Sequence, residues 1–346
     1  MDASNLCDFL IENRLGNTSL VSKLFAFPTK NVSNETFQTC SIDILENVCG
    51  DFKPDMLSGE KRLLTGSLRN PEYARRGFHV IRSWLASKAH EIRLNQFEED
   101  GYDTTNVEKY TKEGLVFFED YMKYFHHIFP HDEIQEEFRH FPIAVHKRPD
   151  NILINPLGDQ APRLKSILAS MLYEVSLCMG ISDKSKQYKQ LEDFFFNNAF
   201  VQRVHNRPDD NDNQKNLHID TFFPACKFWW FSQDVTADDG AFVYVRNSSK
   251  HTTAYYNWLY NQSIAICEDS YEKWRLKDHE EGSLRVSDIE LAAMGLEAKP
   301  IEVKANTLVV GNVGGFHGRG HTKKDFTRNA VHGSIRFTEP FNVGTI

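Results

Sequence analysis

At 346 residues the chain is long enough for one large domain or two modest ones, and its 40% hydrophobic and 25% charged residues exclude wholesale disorder. The 26 Phe and 12 Tyr can fill a sizeable core. With 40 Lys plus Arg against 48 Asp plus Glu, the net charge of -8 leaves no broad basic footprint, so no nucleic-acid partner is expected.

The chain starts MDASNLCDFLIENRL, with an early acid and no basic stretch before an apolar run, so no secretory signal is expected. No apolar run of membrane-spanning length follows, and no membrane partner is expected. The six cysteines, at 7, 40, 49, 178, 226 and 267, form no CxxC pair. Their even number leaves disulfides open, but free thiols in a reducing compartment are the simpler account, and a cytoplasmic location follows from it.

In chain order, the first hundred residues read as mainly helical. Val80, Ile81, Trp84, Leu85 and Ile92 recur at helical spacing after Gly77. NQFEEDGYDTTNVEKY gathers acids, Gly and Asn as a linker or surface connection, and KEGLVFFEDYM then carries a short strand-like run. Over residues 164–179, Leu164, Ile167, Leu168, Met171, Leu172 and Val175 make one apolar helix face that ends at Gly180.

From about Ala199 the texture changes to short strands separated by turn residues. AFVQRVH alternates, NRPDDNDNQKN is a polar loop, and LHIDTFF, CKFWWFSQDV, GAFVYVRN, KPIEVKANTLVVGN and HGSIRFTEP are each strand-length. Such a run predicts a sandwich, jelly roll or barrel rather than a parallel α/β sheet. The expected architecture is a mainly β core with helical support: a helical N-terminal extension over 1–105 and a β domain over 106–346. Oligomeric state is not legible.

The chemistry centres on His218-Ile219-Asp220. In a strand, positions i and i+2 share a face, so imidazole and carboxylate converge; on a helix they would diverge by about 200°. GGFHGRGH offers His317, at a strand-to-loop edge, as a third ligand. Two neutral imidazoles and one carboxylate on one side of a metal leave its other positions open, the pattern iron(II) uses for a chelating co-substrate and O2.

The stretch HIDTFFP, then CKFWWFSQDVTADDGAFVYVRNSSKH, then FHGRGHTKKDFTR resembles the phytanoyl-CoA dioxygenase family of iron(II)- and 2-oxoglutarate-dependent oxygenases in order and spacing over about 217–337. That family has a His-x-Asp pair, an aromatic-rich strand, an NG-type turn and a PGSH-like segment. A distal His and an Arg about eleven residues later complete it. The resemblance implies a double-stranded β-helix with Fe(II) on His218, Asp220 and His317, and 2-oxoglutarate and O2 as co-substrates. Arg328, eleven positions after His317, would partner the distal carboxylate of 2-oxoglutarate, as a planar guanidinium suits a carboxylate. Trp229 would line the co-substrate pocket, with adjacent Trp230 pointing to the other face.

The implied reaction oxidises an unactivated C–H bond of a small-molecule substrate and releases succinate and CO2. Asp220 stands where halogenating relatives carry a small residue, so hydroxylation or a related oxidation is expected. Arg246-Asn247 replaces the usual Pro-Gly and His251 falls late, which leaves the substrate open. Two rival readings are a cupin-like hydrolase or isomerase on the same triad and a non-catalytic jelly-roll binding module.

Other residues read more plainly. Asp238-Asp239-Gly240 is a hairpin turn. Arg319 and His321 are solvated or substrate-facing and stand outside the catalytic set. Arg336, nineteen positions beyond His317, is too far along to replace Arg328. Residues 209–213 are a solvated acidic loop, with a lid over substrate as the sharper alternative. His126, His127 and His131 are surface or core histidines.

Overall fold

The computed structural model describes residues 32–49, 78–121, 143–145, 151–154, 162–197, 199–208, 212–223, 225–268, 283–336, 341 and 343. His126, His127, His131 and residues 209–211 lie outside these. Seven described helices are α1 (Asn34–Cys49), α2 (Phe78–Glu99), α3 (Thr105–Lys112), α4 (Pro162–Cys178), α5 (Lys186–Asn197), α6 (Thr253–Glu268) and α7 (Asp288–Ala293). None is long and apolar enough to cross a membrane.

Among the described residues, twelve strands form two antiparallel sheets. The larger holds β1 (Leu115–Phe118), β2 (Ile143–Val145), β3 (Asn151–Ile154), β4 (Ala199–Asn206), β6 (Ala225–Phe231), β10 (Thr307–Asn312) and β12 (Phe326–Arg336), in the order β1-β10-β6-β12-β4-β3-β2. The smaller holds β5 (His218–Ile219), β7 (Phe242–Tyr244), β8 (Leu284–Arg285), β9 (Lys299–Pro300) and β11 (His317–Arg319), in the order β8-β5-β11-β7-β9. The two sheets face each other as a double-stranded β-helix, the jelly-roll fold expected above.

Alternation along each strand decides what fills each layer. On β6, Cys226, Phe228 and Trp230 enter an outer core with Ile167, Leu168, Met171, Leu172 and Val175 of α4. Trp229 and Phe231 turn inward instead, toward Phe242 and Tyr244 of the opposite sheet. The outer face of the smaller sheet is covered in turn: Ile219, Val245 and Phe316 pack with Val80, Ile81, Trp84 and Leu85 of α2 and with Tyr255 and Leu259 of α6. The described N-terminal helices thus share a core with the β domain.

The expected helix over 164–179 is α4, and the turn after it is closed by Ile181 N–H donating to Ser176 O at 2.9 Å. Four expectations need adjusting. The expected strand LHIDTFF contracts to His218–Ile219, because only these two residues pair with β8 and β11, and Asp220 lies in a bend just past them. The expected linker contracts to residues 100–104, because α2 runs to Glu99 and α3 begins at Thr105. KPIEVKANTLVVGN is two strands: Asn306 takes φ +63 and its N–H donates to Phe231 O at 2.7 Å, which turns the chain before β10. HGSIRF is the end of an eleven-residue strand that begins at Phe326 and so includes Arg328. Helices α5 and α6 were not among the expected elements.

Candidate metal centre

His218 of β5 and His317 of β11 are direct cross-strand partners, and their ring centroids lie 4.6 Å apart. Asp220 follows β5, fixed by its own N–H donating to Val313 O at 3.0 Å. One ligand atom from each of the three residues lies within 4.8 Å of the others. His218 Nε2 stands 3.6 Å from Asp220 Oδ1, and His317 Nε2 3.7 Å from Asp220 Oδ2. Each side chain is less than a tenth exposed.

The tautomers suit a metal. His218 Nδ1 donates to Asn216 O at 2.8 Å and His317 Nδ1 to Gly315 O at 3.0 Å. A carbonyl only accepts, so both protons sit on Nδ1 and both Nε2 lone pairs point toward the carboxylate. His317 Nε2 has no hydrogen-bond partner among the described residues. Gly315 is required where it is, since a Cβ there would meet the Tyr244 hydroxyl and Ser248 Oγ inside contact distance. Burial, then the neighbouring His317, pushes His218 down to about 3, so the ring is neutral near neutral pH. Burial raises Asp220, but Lys227 and then the two imidazoles outweigh it and hold the carboxyl well below the ordinary range.

The triad opens into a pocket of about 80 Å³ between the sheets, lined among others by Gln202, Lys227, Trp229, Arg319, Arg328 and His332. Arg328 enters it from β12, 5% exposed, with one long hydrogen bond from Nη1 to Gly240 O at 3.3 Å. Its Nε has no hydrogen-bond partner among the described residues. Gly240 holds the turn after Asp239 at φ +76, as expected of an Asp-Gly turn, but the turn is not a hairpin, because it carries the chain from β6 in the larger sheet to β7 in the smaller one. Burial, then Arg319, lowers the Arg328 guanidinium to about 9, which leaves it charged at neutral pH. Trp229 packs on Phe242 at 4.4 Å and stacks on His332 at 5.3 Å and 15°, whereas Trp230 faces the outer core.

Lys227 and His332, both in this pocket, escaped the sequence, whereas Arg319, expected to be solvated or substrate-facing, also lines it. Lys227 forms an ion pair with Asp220 Oδ2 at 2.6 Å. It shares a strand face with Trp229, so alternation could have located it. His332 lies four positions after Arg328 on the same strand, and burial, then Lys227, lowers it to about 3. Arg319 lies two positions after His317 and pairs with Asp212 at 2.5 Å, both side chains 9% exposed. Asp212 is therefore not solvated, contrary to the loop expectation, because a buried guanidinium beside the pocket holds it. His321 is exposed. A separate, larger cavity of about 350 Å³ lies between α2 and residues 249–256 and shares no lining residue with the pocket at the triad.

No family model and no curated protein matches this chain. Several solved structures are similar to it. One is the epimerase SnoN, in complex with Fe3+, alpha ketoglutarate and nogalamycin RO, at 11% identity and TM-score 0.40 over 70% of this chain and 83% of that one. A second is HygX from Streptomyces hygroscopicus with nickel and 2-oxoglutarate bound, at 10% identity and TM-score 0.38 over 68% and 87%. A third is AviO1 from Streptomyces viridochromogenes Tue57, at 12% identity and TM-score 0.36 over 68% and 94%. Likeness at this level carries nothing about the chemistry of this chain, which rests on its own residues.

Proposed function

We propose that this chain is an iron(II)- and 2-oxoglutarate-dependent oxygenase, similar to the phytanoyl-CoA dioxygenase family, that oxidises an unactivated C–H bond of a small-molecule substrate. One observation carries the reading: two imidazoles with lone pairs turned toward one carboxylate share a buried pocket with an under-bonded guanidinium. His218, Asp220 and His317 would hold Fe(II), and Arg328 would take the far carboxylate of 2-oxoglutarate through two parallel hydrogen bonds. Trp229, braced by Phe242 and His332, would form the apolar wall along the co-substrate's chain. Bound there, iron and 2-oxoglutarate together supply O2-driven oxidation with release of succinate and CO2.

The chain's own share is positioning and shielding. The Nδ1 hydrogen bonds fix both rings, and the aromatic wall keeps water from the reacting atoms. A hydrolase or isomerase on the same triad would leave Arg328 without a task. The disulfide-free thiols of Cys40, Cys178 and Cys226 suit a reducing, cytoplasmic setting. The test is oxygen-dependent conversion of 2-oxoglutarate to succinate by iron-loaded protein, measured without added substrate and then across a small-molecule panel. Slow uncoupled turnover, accelerated by the right substrate, is expected. An iron-loaded protein that binds no 2-oxoglutarate and makes no succinate would overturn the reading.

A further inference from the structure

Strand β6 reads ACKFWWF, and its single charge is turned inward. Its Cys226, Phe228 and Trp230 fill the outer core, so alternation puts Lys227 on the inner face with Trp229 and Phe231. There its side chain is 20% exposed, and its cross-strand neighbour on β12 is Ser334, which offers no charge. A largely buried ammonium needs a counter-charge, and the one it has is Asp220 Oδ2, at 2.6 Å. Among the described residues, the pocket lining holds three cationic side chains, Lys227, Arg319 and Arg328, and no acid. Asp212 neutralises Arg319, and Asp220 is shared between Lys227 and the two imidazoles.

Resting on the reading of His218, Asp220 and His317 as metal ligands, we propose that Lys227 is a positioning residue that makes the centre selective for a metal carrying an acid over the bare metal. The ammonium holds one oxygen of Asp220 and adds a positive charge beside the three ligand atoms. That charge opposes a divalent cation arriving alone. The same charge attracts the carboxylates of a dicarboxylic co-substrate whose far end is taken by Arg328. Repulsion between an ammonium and a dication across a few ångström in a partly buried site exceeds the cost of ordering one carboxylate side chain. Removing the charge should therefore strengthen the bare metal site even though Asp220 loses an anchor. The two affinities should move in opposite directions.

The experiment measures binding by calorimetry, with Co2+ as a metal probe and then 2-oxoglutarate titrated into Co2+-loaded protein. In Lys227→Met we expect Co2+ to bind about tenfold tighter and 2-oxoglutarate about tenfold weaker, with Lys227→Arg within about threefold of the parent on both. Thermal unfolding checks each variant, and Lys227→Gln replaces Lys227→Met if the latter does not fold. A residue that merely props the strand would weaken both ligands together and gain nothing from arginine, so parallel losses overturn the proposal. Two unchanged affinities overturn it as well. A parent protein that takes up no Co2+ instead sinks the metal-centre reading on which it rests.

Discussion

The two sheets divide the work unequally. The smaller sheet brings all three triad residues: His218 on β5, Asp220 just past it, and His317 on β11. Its strands are two or three residues long, and backbone pairing rather than side-chain bulk sets where the imidazoles sit. The larger sheet brings two of the pocket's three cations, Lys227 from β6 and Arg328 from β12, and with them Trp229 and His332 of the wall, while Arg319 comes from β11 of the smaller sheet. Its strands reach eleven residues and are clamped by apolar layers on both faces. On the proposed function, the short, hydrogen-bonded sheet would fix the metal, and the long, well-packed one would fix the far end of an acid. The distance between the two ends is then a property of the sandwich.

That division can be broken one sheet at a time. The largest effect is expected from His317→Ala, which removes a proposed ligand whose Nε2 has no hydrogen-bond partner among the described residues; metal affinity should fall at least about a hundredfold with the fold retained. Co2+ calorimetry beside circular dichroism checks this, and a variant that still binds metal tightly would remove His317 from the site. Next comes Leu172→Ala, in the outer core behind the larger sheet. It should cost about 2–5 kcal/mol of stability in denaturant unfolding while leaving the metal affinity of the folded protein unchanged. A matching loss of metal affinity would show that the two sheets are not separable.

The smallest effect concerns acid. Burial, then Arg93 and His251, lowers His90 to about 3, while in the unfolded chain it titrates near 6.5. The unfolded chain takes up the proton first, so the stability gained by burying the neutral ring is complete above about 6.5 and is lost as pH falls toward about 3. His218 and His332, also at about 3, and His251, at about 4, act in the same sense. His90→Gln should therefore make the acid-side fall in Tm shallower without abolishing it. An unchanged slope would mean that the ring does not stay neutral in the folded protein.

Much of this arrangement is written in local patterns. HIDTFF shows its ligands through the His-x-Asp spacing, although only His218–Ile219 is strand and Asp220 is set in the bend past it by its bond to Val313 O, and the α4 face shows itself through regular apolar spacing. Other parts depend on partners far along the chain. β11 is three residues in a glycine-rich run that reads as loop, and it is a strand because β5 and β7 pair with it from both sides. α6 was hidden by its composition: Tyr255, Tyr256 and Trp258 favour strands intrinsically, and only packing against α2 and Phe316 makes them a helix face. Lys227 was masked by the apolar run around it, since its meaning appears only when Asp220 is seen 2.6 Å away.

The measurement closest to the central claim is an anaerobic titration of iron(II)-loaded protein with 2-oxoglutarate, followed by visible absorbance, beside Arg328→Ala. A weak charge-transfer band should saturate with co-substrate in the parent protein. The variant, having lost a buried charged partner, should need roughly 10- to 100-fold more to reach it. Bound iron that gives no such band, or a variant that saturates at the parent's concentration, would contradict the account.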